Sequence, residues 1–171
     1  MSRLQPTDLS TSPLIPRSPE YFMRRALHQA ALSERKGEAP IGAVIVYQGR
    51  IVAHGRNSRQ NSNLITGHAE ISAILQAERK LKSWRLPECD IYVTLEPCIM
   101  CAGAIQQARI RHVYFGASDP KGGAVVSCGN IFDLPGLNHH VGYTGAILAD
   151  ECSTALSNFF RNLRQAKSGK R

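Results

Sequence analysis

The chain has 171 residues, 43% hydrophobic and 20% charged, which fits one domain with one core and excludes a disordered or fibrous protein. Twenty-one Lys and Arg against 13 Asp and Glu leave a formal charge of +8, an excess that favours a polyanionic partner. No apolar run approaches the ~20 residues of a membrane-spanning helix.

The charge is unevenly placed. Residues 161–171 hold Arg161, Arg164, Lys167, Lys170 and Arg171 with no acid, while the other 160 residues carry 16 bases and 13 acids. Cys89, Cys98, Cys101, Cys128 and Cys152 are odd in number. With a core of ordinary size and no hydrophobic leader at the start, they point away from a disulfide scaffold and toward a reducing, cytoplasmic setting.

In chain order, residues 1–18 mix Pro6, Pro13 and Pro16 with Ser and Thr and read as a flexible extension. Ser18-Pro19-Glu20 has the form of a helix start: a capping hydroxyl, Pro at the first helical position, then an acid. Phe22, Met23, Ala26, Leu27, Ala30 and Ala31 then recur at helical spacing to about Glu34, and Gly37 ends the helix. Ile41–Tyr47 and Ile51–Gly55, joined through Gln48-Gly49, predict a β-hairpin. A helix is expected from about His68 to Lys80 with Ile71, Ile74 and Leu75 on one face.

Asp90–Leu95 reads as a buried strand stopped by Pro97, followed by a helix from Cys98 to about Arg109 and a strand at Arg111–Phe115. Residues 117–138, rich in Gly and Pro, should be mostly loop with one short helix. A last strand near His139–Tyr143 and a helix from about Leu148 to Gln165 complete the chain. Strand–helix–strand alternation after the hairpin indicates an α/β fold with a mixed sheet. The organisation expected is an extension over 1–18, one folded domain over 19–166, and a basic tail over 167–171.

Two segments carry chemistry: Gly67-His68-Ala69-Glu70 and Glu96-Pro97-Cys98-Ile99-Met100-Cys101. Cys98 and Cys101, three positions apart, share a helix face and can grip one ion. Free backbone N–H groups and the helix dipole in the first turn favour thiolate over thiol. One His and two Cys make three ligands, which suits tetrahedral zinc with a fourth position left for water, whereas a closed structural site wants a fourth protein ligand. Glu70 stands two positions after His68, and at a helix N-terminus both side chains can reach a point ahead of the axis. A carboxylate beside a Lewis acid with an open position is hydrolytic equipment. Cys89, Cys128 and Cys152 have no paired spacing and read as small buried residues.

His68-Ala69-Glu70 followed by Pro97-Cys98-Ile99-Met100-Cys101 resembles the H-x-E…P-C-x-x-C signature by which zinc nucleoside and nucleobase deaminases are already known. Within that superfamily the chain most resembles the bacterial tRNA-specific adenosine deaminases, from about Glu20 to Gln165. The resemblance is carried by Ala39-Pro40-Ile41-Gly42-Ala43-Val44, by the stretch Tyr92–Ala104, and by Phe115-Gly116-Ala117 with Asp119 and Lys121. Asn138-His139 and Leu148–Cys152 through Phe159-Phe160-Arg161 extend it. The central block is shared with cytosine and guanine deaminases; the later segments are more particular to the tRNA enzymes.

The resemblance implies a cytidine deaminase-like fold, a three-layer α/β/α sandwich with a mixed central sheet of about five strands. It implies one zinc ion per subunit on His68, Cys98 and Cys101. It also implies hydrolytic deamination of adenosine to inosine at the wobble position of a tRNA anticodon, that of an arginine tRNA. Water on zinc attacks C6, Glu70 shuttles protons, and ammonia leaves. Asn57 would contact the flipped base, Asp119 a neighbouring nucleotide, and Phe160 with Arg161 would line the RNA groove. From their local context alone, Asn57 reads equally as a hairpin end, Asp119-Pro120 as a turn, and Phe159 or Phe160 as core packing. Family members are homodimers binding the anticodon stem-loop; no membrane or DNA partner is expected. The competing readings are a small-molecule cytosine, guanine or nucleoside deaminase, which needs no basic groove, and an inactive zinc-containing RNA-binding subunit, which has no need of Glu70.

Overall fold

The computed structural model describes residues 17–168. The expected N-terminal extension as far as Pro16, and Lys170 and Arg171 of the expected tail, lie outside the described residues. Helix α1 (Pro19–Glu34) begins where the Ser18 hydroxyl accepts a hydrogen bond from the Tyr21 backbone N–H and Pro19 occupies the first turn, the local chemistry of a capped start. Strands β1 (Gly42–Tyr47) and β2 (Arg50–Arg56) form a hairpin. Its turn residues Gln48 and Gly49 both take positive φ, 47° and 71°, the backbone that matches the twist of paired strands.

After a short helix α2 (Arg59–Ser62) come α3 (Ala69–Leu81), β3 (Cys89–Leu95), α4 (Ile99–Gln107) and β4 (His112–Ala117). A 3-10 turn at Ile131–Asp133, strand β5 (Gly142–Thr144) and helix α5 (Ala149–Ser168) complete the described chain. The five strands form one sheet in the order β2-β1-β3-β4-β5. β1 pairs antiparallel with β2 and β3, while β3–β4 and β4–β5 are parallel. The sheet is mixed, as expected.

β1 is buried along its whole length and β3 almost so, which is why both read as near-continuous apolar runs instead of alternating ones. Successive side chains point to opposite faces. Ile45, Ile91 and Val93 join Ala73, Ile74, Ala102 and Ile105 under α3 and α4. Val44, Val46 and Tyr92 join Phe22, Met23 and Ala26 of α1 and Cys152 of α5 on the other side. The result is the three-layer α/β/α sandwich. Among the described residues, no helix is long and apolar enough to cross a membrane.

Glycines set how closely α1 and α3 lie on the sheet. A Cβ on Gly42 would come within 2.2 Å of the Ala26 carbonyl oxygen, and one on Gly55 within 1.9 Å of the Ala69 carbonyl oxygen. Both obstacles are backbone, so neither can swing aside. The contact at Gly55 seats the first residue of α3, directly after His68. Gly55→Ala is therefore expected to cost about 1–3 kcal/mol by overpacking. Thermal unfolding and zinc analysis check this: the melting temperature should fall by several degrees and zinc retention should fall with it.

The same close approach corrects one expectation. The packed face of α3 is Ala69, Glu70, Ala73, Ile74 and Ala77, whereas Leu75 is 45% exposed. Where a glycine admits a helix this near the sheet, only small residues fit between them, so alanine marks the buried face. Helix α2 has no counterpart among the expected elements, because its four residues, Arg-Gln-Asn-Ser, carry no apolar periodicity. The last strand lies at Gly142–Thr144, not His139–Tyr143. His139 instead uses its Nε2 to donate to the Ile110 carbonyl (2.8 Å), and pairing with β4 starts only at His112 opposite Gly142. Helix α5 runs through Lys167 to Ser168, into the segment set apart as a tail. Cys89 and Cys152 are buried, but Cys128 is exposed on the Gly-rich loop.

Candidate active site

His68 and Cys98 are the N-caps of α3 and α4, both in extended backbone conformation. Their positions follow from the sequence: Gly67 turns the chain ahead of α3, and Pro97 stops β3 and starts the entry to α4. Cys101 follows one turn into α4, facing the same way as Cys98. His68 Nδ1 lies 3.7 Å from Cys98 Sγ and 3.5 Å from Cys101 Sγ, and the three donor atoms fall within 4.8 Å of one another.

The donor set passes a geometric test for zinc. Bonds of about 2.05 Å to nitrogen and 2.3 Å to sulfur at a tetrahedral angle place the two donors about 3.6 Å apart, the separation found here. Soft thiolates with an imidazole select zinc over hard cations such as magnesium or calcium. Protonation is arranged to match. The Cys101 thiol donates to Cys98, which, with His68, pulls Cys98 down to about 4 against its burial. That same bond and burial push Cys101 far up, and the Cys98 bond raises His68. A metal ion bound here would displace the thiol protons.

Glu70 is the second residue of α3 and is 4% exposed. Burial drives its carboxyl up to about 7, against the pull of the backbone hydrogen bond at its own position. A carboxyl that gains and loses a proton near neutrality suits acid–base work.

Beside this cluster is a pocket of about 240 Å³ lined by Ala39, Ile41, Asn57, Arg59, His68, Ala69, Glu70, Leu95, Glu96, Cys98, Asp119 and Phe160. Of the residues singled out from sequence, Asn57, Asp119 and Phe160 stand on its wall. Arg161 does not: it lies on the exposed surface of α5, donating to Asn158 Oδ1. Asn57 closes the hairpin, with its N–H on the Ile41 carbonyl (3.0 Å) and its own carbonyl accepting from Ser33 Oγ (2.6 Å). Asp119 forms a turn, its Oδ1 accepting from the Lys121 N–H.

Two buried acids at the pocket escape a reading of the sequence. Glu96 accepts from the backbone N–H groups of Asp119, Val125, Val126 and Ser127 and from the Ser127 hydroxyl. Burial alone would raise its pKa, but these donors outweigh it and hold Glu96 down at about 2. A Cβ on Gly123 would come within 2.3 Å of this carboxyl, so the glycine lets the loop close over it. Glu96 thereby fixes the loop that carries Asp119. Glu38, 1% exposed, accepts from Asn57 Nδ2 (3.2 Å) and the Asn61 N–H (2.6 Å). A lone acid in a loop gives no signal in sequence, although the position of Glu96 just before Pro97-Cys98 is a clue of proximity.

Residues 16–117 match the family model for the cytidine and deoxycytidylate deaminase zinc-binding region. The chain is 43% identical over 152 residues to a tRNA-specific adenosine deaminase of Bacillus subtilis (strain 168), covering 89% of this chain and 94% of that protein. It is 47% identical over 145 residues to one of Aquifex aeolicus (strain VF5), covering 85% and 95%. A solved structure from work on A-to-I editing by tRNA:A34 deaminases at the wobble position of transfer RNA superposes with a TM-score of 0.77 at 45% identity. That superposition covers 80% of this chain and 99% of the other. By motif, sheet order, donor geometry and these likenesses together, the chain belongs to the zinc-dependent cytidine and deoxycytidylate deaminase family, among the tRNA-specific adenosine deaminases.

Proposed function

We propose that this protein deaminates adenosine to inosine hydrolytically at the wobble position of a tRNA anticodon. The observation that carries the reading is that one small pocket opens beside a His/Cys/Cys donor set and is lined by the buried Glu70 carboxyl and by Phe160 of the basic helix α5. The cavity is only about 240 Å³, so most of a polynucleotide would lie outside it, against α5. Likeness at 43–47% identity over most of the chain to tRNA-specific enzymes supports the choice of substrate.

In this reading His68, Cys98 and Cys101 hold the zinc and Glu70 is the catalytic acid–base. When bound, zinc supplies a Lewis acid that lowers the pKa of an associated water toward about 7. Glu70 accepts a proton from the attacking water and delivers it to N1 of the adenine as C6 becomes tetrahedral. It then passes the second proton to the exocyclic amine, so adenosine and water become inosine and ammonia. Asn57 contacts the extruded base, Asp119 the adjoining nucleotide, and Phe160 and Arg161 line the path of the RNA. Anticodon bases are already unpaired, which lowers the cost of turning one out of the stack.

The partner is an anticodon stem-loop, that of an arginine tRNA by resemblance, and the setting is the cytoplasm. The protein acts as a homodimer. Ile99 and Leu134, 69% and 51% exposed, flank an apolar hollow beside the start of α4, which supports burial against a second copy.

Sequencing tRNA after incubation with the zinc-loaded protein tests the function. Inosine, read as an A-to-G change, should appear at the wobble position alone; unchanged tRNA would overturn the reading. A separate expectation concerns charge. Arg164 and Lys167 are exposed on α5, and replacing both by alanine should reduce the steepness of log K against log salt for stem-loop binding by roughly 1.4. Zinc content should not change. A slope equal to that of the unmodified protein would mean these side chains do not meet phosphate.

A further inference from the structure

We propose that Glu38 is a positioning residue for the substrate pocket, acting by holding the Asn57 side chain in a single orientation. The inference rests on the reading above that Asn57 touches the substrate. Glu38 lies between α1 and β1 and is 1% exposed. Burying a carboxylate is costly unless it is paired and hydrogen-bonded. Neither the Arg24–Glu151 nor the Arg111–Asp90 ion pair involves Glu38. Its two oxygens instead go to the Asn57 side-chain amide (3.2 Å) and the Asn61 backbone N–H (2.6 Å).

That choice has a consequence for recognition. The Asn57 backbone is already fixed at both its N–H and its carbonyl, by Ile41 and Ser33. What remains free is the side-chain amide, whose oxygen and nitrogen ends are nearly the same size. A carboxylate can only accept, so it selects the nitrogen end and leaves the pocket facing the same arrangement of amide atoms every time. The bond to Asn61 ties α2 to the same carboxylate, and Arg59 at the start of α2 is on the pocket wall. Glu38 therefore sets two parts of the pocket rim without lining the pocket itself.

A double-mutant cycle separates this role from simple support of the fold. Inosine formation on an anticodon stem-loop, zinc per chain and melting temperature are measured for E38Q, N57A and E38Q/N57A. Losing one such hydrogen bond should lower kcat/KM of E38Q about tenfold, with zinc retained. N57A should lose at least as much, and the double variant should match N57A to within about twofold, because E38Q keeps one oxygen to accept from the Asn61 N–H and loses only the bond to Asn57. If E38Q equals the unmodified protein, or if its loss multiplies onto that of N57A, the proposal is overturned. An unimpaired N57A would instead remove Asn57 from the substrate contacts, and the proposal with it. As a further check, with melting temperature followed alongside, N57D sets two carboxylates together, and adding E38Q should restore part of the lost kcat/KM. No restoration would contradict the orientation role.

Discussion

Glu70→Ala is expected to lower kcat by about 10²–10⁴-fold, the range typical of a positioned acid–base group, while zinc content and stem-loop affinity stay at the level of the unmodified protein. The separation arises from geometry. The donor atoms that converge are those of His68, Cys98 and Cys101, so truncating Glu70 removes no ligand. The exposed basic surface of α5 is likewise untouched. Metal analysis, a binding isotherm and single-turnover inosine formation read the three quantities separately. A variant that turns over at the normal rate would refute the role; one that loses its zinc would mean that Glu70 acts on the metal site instead of the proton.

The second large effect is expected from the metal ligands. Cys98→Ala or Cys101→Ala should take zinc content from one per chain toward none and abolish turnover, because two remaining donors cannot hold the ion against chelation. Stability should follow by linkage. With zinc a hundredfold above its Kd, binding stabilises the fold by about 2.7 kcal/mol, or roughly 5–10 °C in a domain of this size. Chelator should lower the melting temperature of the unmodified protein by that amount and leave the Cys98→Ala protein unmoved. Cys89 and Cys152 serve as controls. Both are buried in apolar surroundings that raise their thiols to about 12 and about 11, so they stay protonated and their replacement should leave zinc in place.

Features set by neighbours in the chain are legible in the amino-acid sequence alone. The capped start at Ser18-Pro19, the Gln48-Gly49 turn and the spacing of the two cysteines each depend on a few adjacent residues. So does the placing of His68 and Cys98 at helix starts, which follows from Gly67 and Pro97. What escapes depends on residues far apart. The alanine face of α3 makes sense only once Gly55 is seen beneath it, and without that contact Leu75 looks like the better core residue. Glu96 and Glu38 are single acids in loops, and their meaning comes from donors contributed by residues 119–127 and by Asn57 and Asn61. Phe160 reaches the pocket while its neighbour Arg161 does not, a distinction that turns on how α5 is rotated against β4. The short helix α2 is invisible for a different reason, since four polar residues offer no periodicity to read.

The net charge of +8 divides into parts. Arg111 pairs with Asp90 through two hydrogen bonds beside the sheet, and Arg24 bridges α1 to Glu151 of α5. Arg161, Arg164 and Lys167 remain exposed on α5, beyond the residue that touches the pocket. A small heterocycle has no use for them, whereas an RNA backbone does.

The most direct test is therefore the ratio of kcat/KM for an anticodon stem-loop carrying adenosine at the wobble position to that for free adenosine. Binding energy from the remote parts of the RNA is expected to favour the stem-loop by at least about 10³-fold. Equal turnover of the two substrates would contradict it, leaving a small-molecule deaminase with an incidental basic helix.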